Sequence, residues 1–222
     1  MPIEATYRVL SVERRTATIR EIWLRPLAGT MPFLAGEYVL LESCDRTVPP
    51  RSYSIANAPR ADGLISLLVT RVPGGRTSTW IHEGLSIDDE VSVDGPYGTF
   101  VDDPSRTASC LFLAAGSGLA PMRALVEAAL LARTRRSLTL ILSARTEHDV
   151  IDRERFVAWQ QRHSRFRFIR TLTRAAATAD RADSGVALQP RRGARQSRCL
   201  HRRSAGLRRS LRGGRGNPRG GS

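Results

Sequence analysis

Short apolar runs rich in valine, isoleucine, leucine and tyrosine dominate the first hundred residues. The runs lie at 6–12, 18–24, 36–42, 51–57, 64–71 and 89–95. Turn-forming segments separate them, among them Pro26 to Gly29, Pro59 to Gly63 and Pro73 to Gly75. Runs of this length, bounded by such turns, predict a small six-stranded antiparallel barrel of the Greek-key type. One short helix is predicted at 77–83.

The pattern changes after a predicted boundary at residues 102–105. Residues 109–115, SCLFLAA, form a continuous apolar run, which is typical of a parallel strand covered on both faces. Alternating helix-like and strand-like segments follow, at 122–133, 137–144, 151–161 and 166–172. This β-α-β-α-β order predicts the start of a doubly wound parallel α/β domain. With only three strands, 109–115 is expected to lie at the edge of the sheet.

The division expected from these patterns is a barrel domain at 1–103, a partial α/β domain at 104–173 and a tail at 174–222. The formal net charge is +14, yet residues 1–173 carry 22 Arg against 19 acidic residues, a net charge of +3. Residues 174–222 carry 13 Arg against 2 Asp, a net charge of +11. The excess charge therefore says little about the first two segments.

The tail is rich in Arg, Gly, Ala, Ser and Pro and poor in large apolar residues. Such a composition predicts no stable fold, because too little apolar surface is available for burial. One hypothesis is a frameshift near residues 174–185 of a GC-rich gene. The alternative is a genuine basic tail that binds nucleic acid or acidic lipid.

The spacing of the cysteines and the lengths of the apolar segments indicate the cellular compartment. The three cysteines, Cys44, Cys110 and Cys199, are too widely spaced for a disulfide framework, a zinc site or an iron–sulfur cluster. We expect Cys44 and Cys110 to be small buried thiols, and we expect no metal. The N-terminus does not resemble a signal peptide, and the longest apolar stretches are too short to span a bilayer. These observations favour the cytoplasm.

GSGLAP, at 116–121, follows an apolar strand and opens a predicted helix. Backbone amides of Gly116, Ser117 and Gly118 at such a helix start can approach a phosphate. Pro121 stands where the dinucleotide motif GxGxxG has its last glycine, so the motif is not complete. The alternative is a tight strand-to-helix turn without a ligand.

GGRTSTW, at 74–80, is a second glycine turn. Its amides, with Gly75, Thr77 and Ser78, could bind another phosphate. The alternative is that Thr77 or Ser78 simply caps the helix.

RSYS, at 51–54, places a cation, an aromatic ring and a hydroxyl in one short strand. At period 2, Arg51 and Tyr53 point to the same side, which puts a phosphate-binding guanidinium beside a stacking ring. Ser54 could offer its hydroxyl to a heteroaromatic nitrogen. The alternative is an ordinary strand with one exposed face.

Together these motifs resemble the ferredoxin–NADP⁺ reductase family over roughly residues 5–172. RSYS looks like the family's R-x-Y-S flavin signature. The resemblance implies that Arg51 holds an FAD phosphate, Tyr53 lies against the isoalloxazine, and Ser54 hydrogen-bonds near flavin N5. It also implies further FAD contacts along LLVTRVPGGRTS, from Val69, Arg71, Gly75, Thr77 and Ser78.

The remaining motifs resemble the family in the same order. DEVSVDGPYGTF, at 89–100, is similar to the strand and turn that close the flavin domain. GSGLAP looks like the pyridine-nucleotide turn. Arg145, in SARTEHD, would approach the adenosine ribose or a 2′-phosphate; the alternative is a solvated loop charge. His82 and His148 are expected at the surface.

The resemblance implies a flavin-dependent oxidoreductase that uses FAD and NAD(P)H, with Ser54 and Tyr53 as catalytic residues. Electrons would pass to a separate ferredoxin or oxygenase component. The sequence departs from the family after residue 173, where further strands are expected. One alternative is therefore an FAD-binding protein with impaired or absent turnover. A nucleic-acid binder acting through the basic tail is a weaker alternative.

Overall fold

Six antiparallel strands form the first sheet of the computed structural model, which describes residues 2–103 and 105–174. Their order in the sheet is β4-β3-β6-β1-β2-β5. A bridge between Ile55 and Leu67 links the end of β4 to β5, so the two outer strands of the sheet approach each other and the sheet nearly closes. The predicted antiparallel barrel is thereby confirmed. The strands are β1 (Ile3–Arg14), β2 (Ile19–Pro26), β3 (Tyr38–Ser43), β4 (Arg51–Ser54), β5 (Ile65–Thr70) and β6 (Glu90–Tyr97).

The barrel core follows from alternation along these strands. In β3, every second side chain is buried, beginning with Val39 and Leu41. Alternate residues of a strand point to opposite faces, so this pattern gives each strand one face for the interior. The helix α1 (Arg76–Glu83) packs beside β5 and adds Ile81 to the same core. Its bounds agree with the predicted helix at 77–83.

Three parallel strands and two helices form the second layer. The strand order is β7-β8-β9, with the helices between successive strands. This arrangement confirms the predicted β-α-β-α-β segment of an α/β fold. The elements are β7 (Cys110–Ala115), α2 (Leu119–Leu131), β8 (Leu138–Ala144), α3 (Arg153–Arg162) and β9 (Phe166–Leu172), with short 3₁₀ turns at Gly116–Gly118 and Glu147–Asp149.

The strand β7 lies at the edge of the described sheet, as expected, but its coverage differs from the sequence prediction. Leu111 is 60% exposed and Leu113 is 61% exposed. Phe112 points the other way, into the core that contains side chains of α2 and α3. Both helices therefore cover one face of the sheet, and the prediction of a strand covered on both faces is wrong for the described residues.

Two further predictions concern cysteines and membrane spans. Cys44 is exposed and Cys110 is only partly buried, so the prediction of two buried thiols is wrong. Cys44 lies just after β3, where the chain turns away from the barrel core. Within the described residues, no helix is long and apolar enough to cross a membrane. The expectations for the tail fall, after Arg174, outside the described residues.

The outer surface of the barrel supplies part of the second core. Ile19, Ala56 and Leu68 are buried in the same cluster as Leu119 and Val126 of α2. Apolar burial of this kind stabilises by about 25 cal/mol per Å² removed from water. It places the start of α2 against β2 and β5, close to the end of β4.

Candidate functional site

The strand β4 carries the RSYS segment at the side of the barrel where the sheet nearly closes. It is held in register by β3, with Val39 opposite Tyr53 and Tyr38 opposite Ser54. The ring of Tyr53 is half-buried against the barrel core. Burial raises the pKa of the Tyr53 hydroxyl, and the charge of Arg51 acts in the opposite direction. The ring is thus fixed from one side by the barrel.

Arg51 and Ser54 keep polar groups free at the two ends of β4. The Arg51 guanidinium is exposed and donates to the Pro50 carbonyl at 2.8 Å. Across residues 2–103 and 105–174 it makes no ion pair with a carboxylate. The Ser54 hydroxyl makes no hydrogen bond to another described residue. A guanidinium without a carboxylate partner is suited to a phosphate.

The end of β5 lies beside α1. Val69 is fully buried, and its carbonyl oxygen lies 2.9 Å from Nε2 of His82. The prediction that His82 lies at the surface is therefore wrong, because α1 packs with this side chain toward β5. Arg71 forms an ion pair with Glu83, and both side chains are about half exposed. The charge of Arg71 is partly compensated within the protein.

The glycine turn before α1 is sterically tight. A Cβ atom at Gly75 would lie 2.7 Å from the Ser78 hydroxyl oxygen, so only glycine fits without movement. That hydroxyl accepts a hydrogen bond from the Val72 amide and lies 3.2 Å from the Gly75 carbonyl. The Thr77 hydroxyl donates to the Pro49 carbonyl at 2.7 Å.

These contacts show that the hydroxyls of the turn are not the groups that are available to a ligand. Both hydroxyls are buried and engaged within the protein, whereas the helix start at Gly75 has no side-chain cap and no acidic residue in its first turn. The alternative that Thr77 or Ser78 caps the helix has no hydrogen bond to support it. The backbone amides are the groups left to bind an anion.

The second glycine turn follows β7 and leads into α2. Gly116 has a φ of +55°, in the left-handed region that glycine enters without strain. A Cβ atom at Gly118 would meet no heavy atom within 4 Å, so the turn is open at this position. The start of α2, like that of α1, has no side-chain cap and no acidic residue in its first turn. This arrangement also suits an anion.

Hydrogen bonds bring the separate motifs together. The Thr70 and Ser117 hydroxyl oxygens are 2.7 Å apart, so the end of β5 touches the second glycine turn. The Thr77 bond to Pro49 links the first glycine turn to the segment that precedes Arg51. The structure therefore gathers β4, the end of β5 and both glycine turns at one side of the barrel.

Arg145 lies at the same edge of the parallel sheet as the second glycine turn. It follows β8 directly, and Ser143 of β8 pairs with Ala115 of β7 just before that turn. The Arg145 side chain is exposed, and His148 is exposed as predicted. In open parallel sheets, ligands bind beyond the carboxyl ends of the strands. Arg145 therefore lies at the edge of the sheet where ligands bind in such folds.

Sequence reasoning missed a buried ionic cluster between the barrel and α2. Arg123 is fully buried and contacts Glu21 and Asp152, which are themselves 1% and 8% exposed. The available signal was an arginine inside a largely apolar helical run, in which Glu127 is the other charged residue. Its partners lie far away along the chain, so the hydrophobic periodicity of the helix could not identify them.

The described residues fit a ligand that has phosphates and a flat ring. The half-buried Tyr53 offers one aromatic face, Arg51 offers an uncompensated guanidinium, and the two uncapped helix starts offer backbone amides. These donors are the groups that bind a flavin and a dinucleotide in α/β proteins.

Comparisons with known proteins agree with this geometry. Residues 14–101 match the family described as oxidoreductase FAD-binding domain, and residues 112–191 match the oxidoreductase NAD-binding domain. Ferredoxin–NADP reductase B of Sorangium cellulosum is 34% identical over 175 residues, which cover 78% of this chain and 70% of that protein. The phenol hydroxylase P5 protein of Acinetobacter pittii is 30% identical over 164 residues, which cover 74% and 46% of the two chains.

A solved structure shows the same fold. The crystal structure of the Amycolatopsis cytochrome P450 reductase GcoB superimposes with a TM-score of 0.71 at 32% identity. The superposition covers 77% of this chain and 52% of that one. The chain spans about half the length of most curated relatives that it matches.

Proposed function

The chain belongs to the ferredoxin–NADP⁺ reductase family, and on that premise we propose that it is a flavin-dependent NAD(P)H oxidoreductase. A hydride passes from NAD(P)H to FAD, and electrons pass on to a separate ferredoxin or oxygenase component. The observation that carries the proposal is the contact between Thr70 and Ser117. It joins the segment assigned to flavin with the turn assigned to the nicotinamide nucleotide.

The residues assigned to FAD surround β4. Arg51 binds a phosphate, Tyr53 supports the flat ring, and Ser54 donates a hydrogen bond to the polar edge of that ring. Thr70 and Arg71 lie along the ring, and Val69, which is fully buried in the barrel core, supports this end of the strand from behind. The turn at Gly75, with Thr77 and Ser78, binds the pyrophosphate; since both hydroxyls are engaged, the backbone amides are the donors.

The residues assigned to NAD(P)H lie at the carboxyl edge of the parallel sheet. The amides of Gly116, Ser117 and Gly118 bind the pyrophosphate at the uncapped start of α2. Arg145 binds the adenosine ribose or its 2′-phosphate. When bound, FAD supplies the hydride-accepting chemistry, so the side chains here orient the two ligands and exclude water.

The domain division at 1–103 and 104–173 is part of the same proposal, with the FAD site on the barrel and the nicotinamide site on the α/β segment. We place the protein in the cytoplasm on the grounds of its widely spaced cysteines. The nucleic-acid alternative rests on the basic tail, which lies outside the described residues.

An absorbance spectrum of the purified protein, repeated under anaerobic conditions after addition of NADH or NADPH, tests the proposal. We expect flavin bands that one of the two nucleotides bleaches. Protein that is colourless and takes up no added FAD would contradict the flavin assignment itself.

A specific observation favours a second candidate, an FAD-binding protein with little turnover. The described sheet has three strands, and Leu111 and Leu113 are exposed on the edge strand β7. A nicotinamide crevice next to an uncovered strand holds its ligand less firmly, and hydride transfer requires near-contact placement. Yellow protein that neither nucleotide bleaches, but that dithionite does bleach, would select this candidate.

The role of Ser54 has a matched control in the same strand. Ser54→Ala removes the proposed hydrogen bond to the ring edge, whereas Ser52→Ala changes an exposed serine of β4. We expect Ser54→Ala to bind FAD but to be reduced by NAD(P)H about 10-fold or more slowly, in keeping with the loss of one positioned donor. Equal rates of flavin reduction in the two variants would contradict the role proposed for Ser54.

A further inference from the structure

Arg123 is a buried cation that the proposed site does not use. It lies on α2, five residues after Gly118, and its side chain is fully buried. A guanidinium is stable in such a place only when its donors are all engaged, because an unpaired buried charge is strongly unfavourable. The identity of its partners therefore shows what the residue holds together.

Three of the partners belong to the barrel. Nη2 of Arg123 donates to Glu21 Oε1 at 2.5 Å and to the Ser66 hydroxyl at 2.9 Å. Nε donates to the Ala56 carbonyl at 2.6 Å. Glu21 lies on β2 and Ser66 on β5, while Ala56 follows β4 by two residues.

The fourth partner belongs to the α/β segment. Nη1 of Arg123 donates to Asp152 Oδ2 at 2.5 Å. Asp152 immediately precedes α3 and has a φ of +58°, a conformation that aspartate tolerates better than most residues. One guanidinium thus joins α2 both to the barrel and to the start of α3.

Arg15 completes a closed ring of charges. Its guanidinium pairs with the second oxygen of Asp152, and its Nε lies 3.6 Å from Glu21 Oε2. The ring alternates two arginines with two carboxylates, so its formal charge is balanced. The planar fork of arginine makes this geometry possible, and a lysine ammonium cannot reproduce it.

The position of the ring relates it to the proposed reaction. Ala56 lies two residues beyond Ser54, Ser66 lies three residues before Val69, and Arg123 lies on the helix that the glycine turn opens. We propose that Arg123 is a positioning residue that fixes the separation between the glycine turn at 116–118 and the strands assigned to flavin. The kinetic consequence rests on the proposed function, whereas the fixed separation is a property of the protein alone.

A cross-linking assay measures the separation without any cofactor. The Thr70 hydroxyl at the end of β5 lies 2.7 Å from the Ser117 hydroxyl of the second glycine turn. Thr70→Cys and Ser117→Cys together therefore allow a disulfide whose rate of formation reports on this separation. The native cysteines Cys44, Cys110 and Cys199 are replaced by serine, and oxidised glutathione is the oxidant. We expect Arg123→Lys to slow disulfide formation in this background at least about 10-fold, because the charge remains but the fork is lost.

A second buried arginine provides the matched control. Arg136, which is 7% exposed, pairs with Asp102 and precedes β8, at the opposite end of the parallel strands from the glycine turn. Arg136→Lys also perturbs the ion pair of a buried arginine, although its partner Asp102 is 31% exposed, and this pair lies at the other end of the parallel strands from the contact between Thr70 and Ser117. It should leave the cross-linking rate within about twofold of the parent, which separates positioning from a general loss of stability.

A kinetic measurement follows the consequence for catalysis. In Arg123→Lys we expect FAD affinity and bleaching by dithionite to match the parent, while bleaching by NAD(P)H slows about 10- to 100-fold, as expected when reacting atoms are displaced by about 1 Å. Arg136→Lys should retain the parent rate. If neither NADH nor NADPH bleaches the flavin bands of the parent protein, the proposed function fails. The cross-linking rate alone then decides the role of Arg123.

A milder variant guards against misfolding. Glu21→Gln keeps the size of the side chain and one acceptor oxygen, and should shift the cross-linking rate in the same direction by about two- to fivefold. An unchanged cross-linking rate in folded Arg123→Lys, or in Glu21→Gln where the first variant does not fold, would overturn the inference. So would an equal loss in Arg136→Lys.

Discussion

Replacing Gly118 by alanine separates a ligand-binding role of the second glycine turn from a purely structural one. Gly118 has φ −62° and ψ −7°, a right-handed conformation that alanine adopts freely. A Cβ atom there would meet no heavy atom within 4 Å. Nothing among residues 2–103 and 105–174 therefore requires glycine at this position. A phosphate brought against the amides of the turn would, however, meet the added methyl group.

The expected stability change is small and has a known sign. Exchanging glycine for alanine in a helical conformation stabilises by about 0.4–1 kcal/mol, chiefly by restricting the unfolded chain. For a chain of this size the melting temperature would rise by about 1–4 °C. Gly116→Ala is the contrasting variant, because its φ of +55° should make alanine destabilising by about 1–2 kcal/mol.

The expected effect on nucleotide binding is opposite to the effect on stability. Loss of one charge-assisted hydrogen bond to the pyrophosphate corresponds to about 1.5–3 kcal/mol, which is roughly a 10- to 150-fold weaker Kd. The assay is a titration of the FAD-loaded protein with NAD⁺ and NADP⁺, followed by the flavin difference spectrum, with thermal unfolding measured on the same samples.

Two results would refute this reasoning. If Gly118→Ala bound the nucleotide as tightly as the parent, the turn would not hold the pyrophosphate at this amide. If Gly118→Ala lost more than about 1 kcal/mol of stability, then the open space beside Gly118 would be filled by part of the folded protein, and weaker binding would have a structural cause.

Three further predictions follow from other parts of the molecule. Arg51→Met should weaken FAD binding about 10- to 150-fold, because a charge-assisted phosphate contact is lost. Quenching of flavin fluorescence measures the affinity. The control is Arg60→Met, which removes an exposed arginine paired with Asp62 and should bind FAD normally. Phe156→Ala should lower the free energy of unfolding by about 3–5 kcal/mol in denaturant titrations, because the ring is fully buried and packs 5.0 Å from Phe168 between ring centroids; a loss no larger than that of the exposed Val157→Ala would contradict the packing. Asp62 should titrate with a pKa of about 2 by carbon NMR, since hydrogen bonding from Arg60 favours its charged form. Its contribution to stability is therefore present above its unfolded-state pKa and is lost as pH falls through about 2, and in Arg60→Met the pKa should return toward the ordinary value for aspartate.

Much of the fold could be predicted from the sequence because its signals are local. Apolar runs with turn residues between them gave six strands, and the change of period after residue 105 gave the parallel segment. The order RSYS, GGRTS and GSG along the chain was enough to propose the ligand groups. Hydrophobic periodicity and turn-forming residues act over a few positions, so they can be recognised in the sequence without the tertiary structure.

The burial of particular side chains needed the tertiary structure. His82 lies in a helix whose buried face the sequence did not reveal, and it contacts Val69 rather than solvent. Leu111 and Leu113 read as buried positions in an apolar run, yet they are exposed because α2 and α3 cover the other face of the described sheet. In each case the outcome depends on what packs against the element.

The sequence by itself thus predicted which segments become strands and helices, and it indicated short motifs suited to bind a phosphate or a flat ring. Only the tertiary structure decided how these motifs are held relative to one another. Arg123 meets Glu21 across 102 residues of sequence and Asp152 across 29. Contacts at such separations depend on how whole elements pack, and no local pattern specifies them.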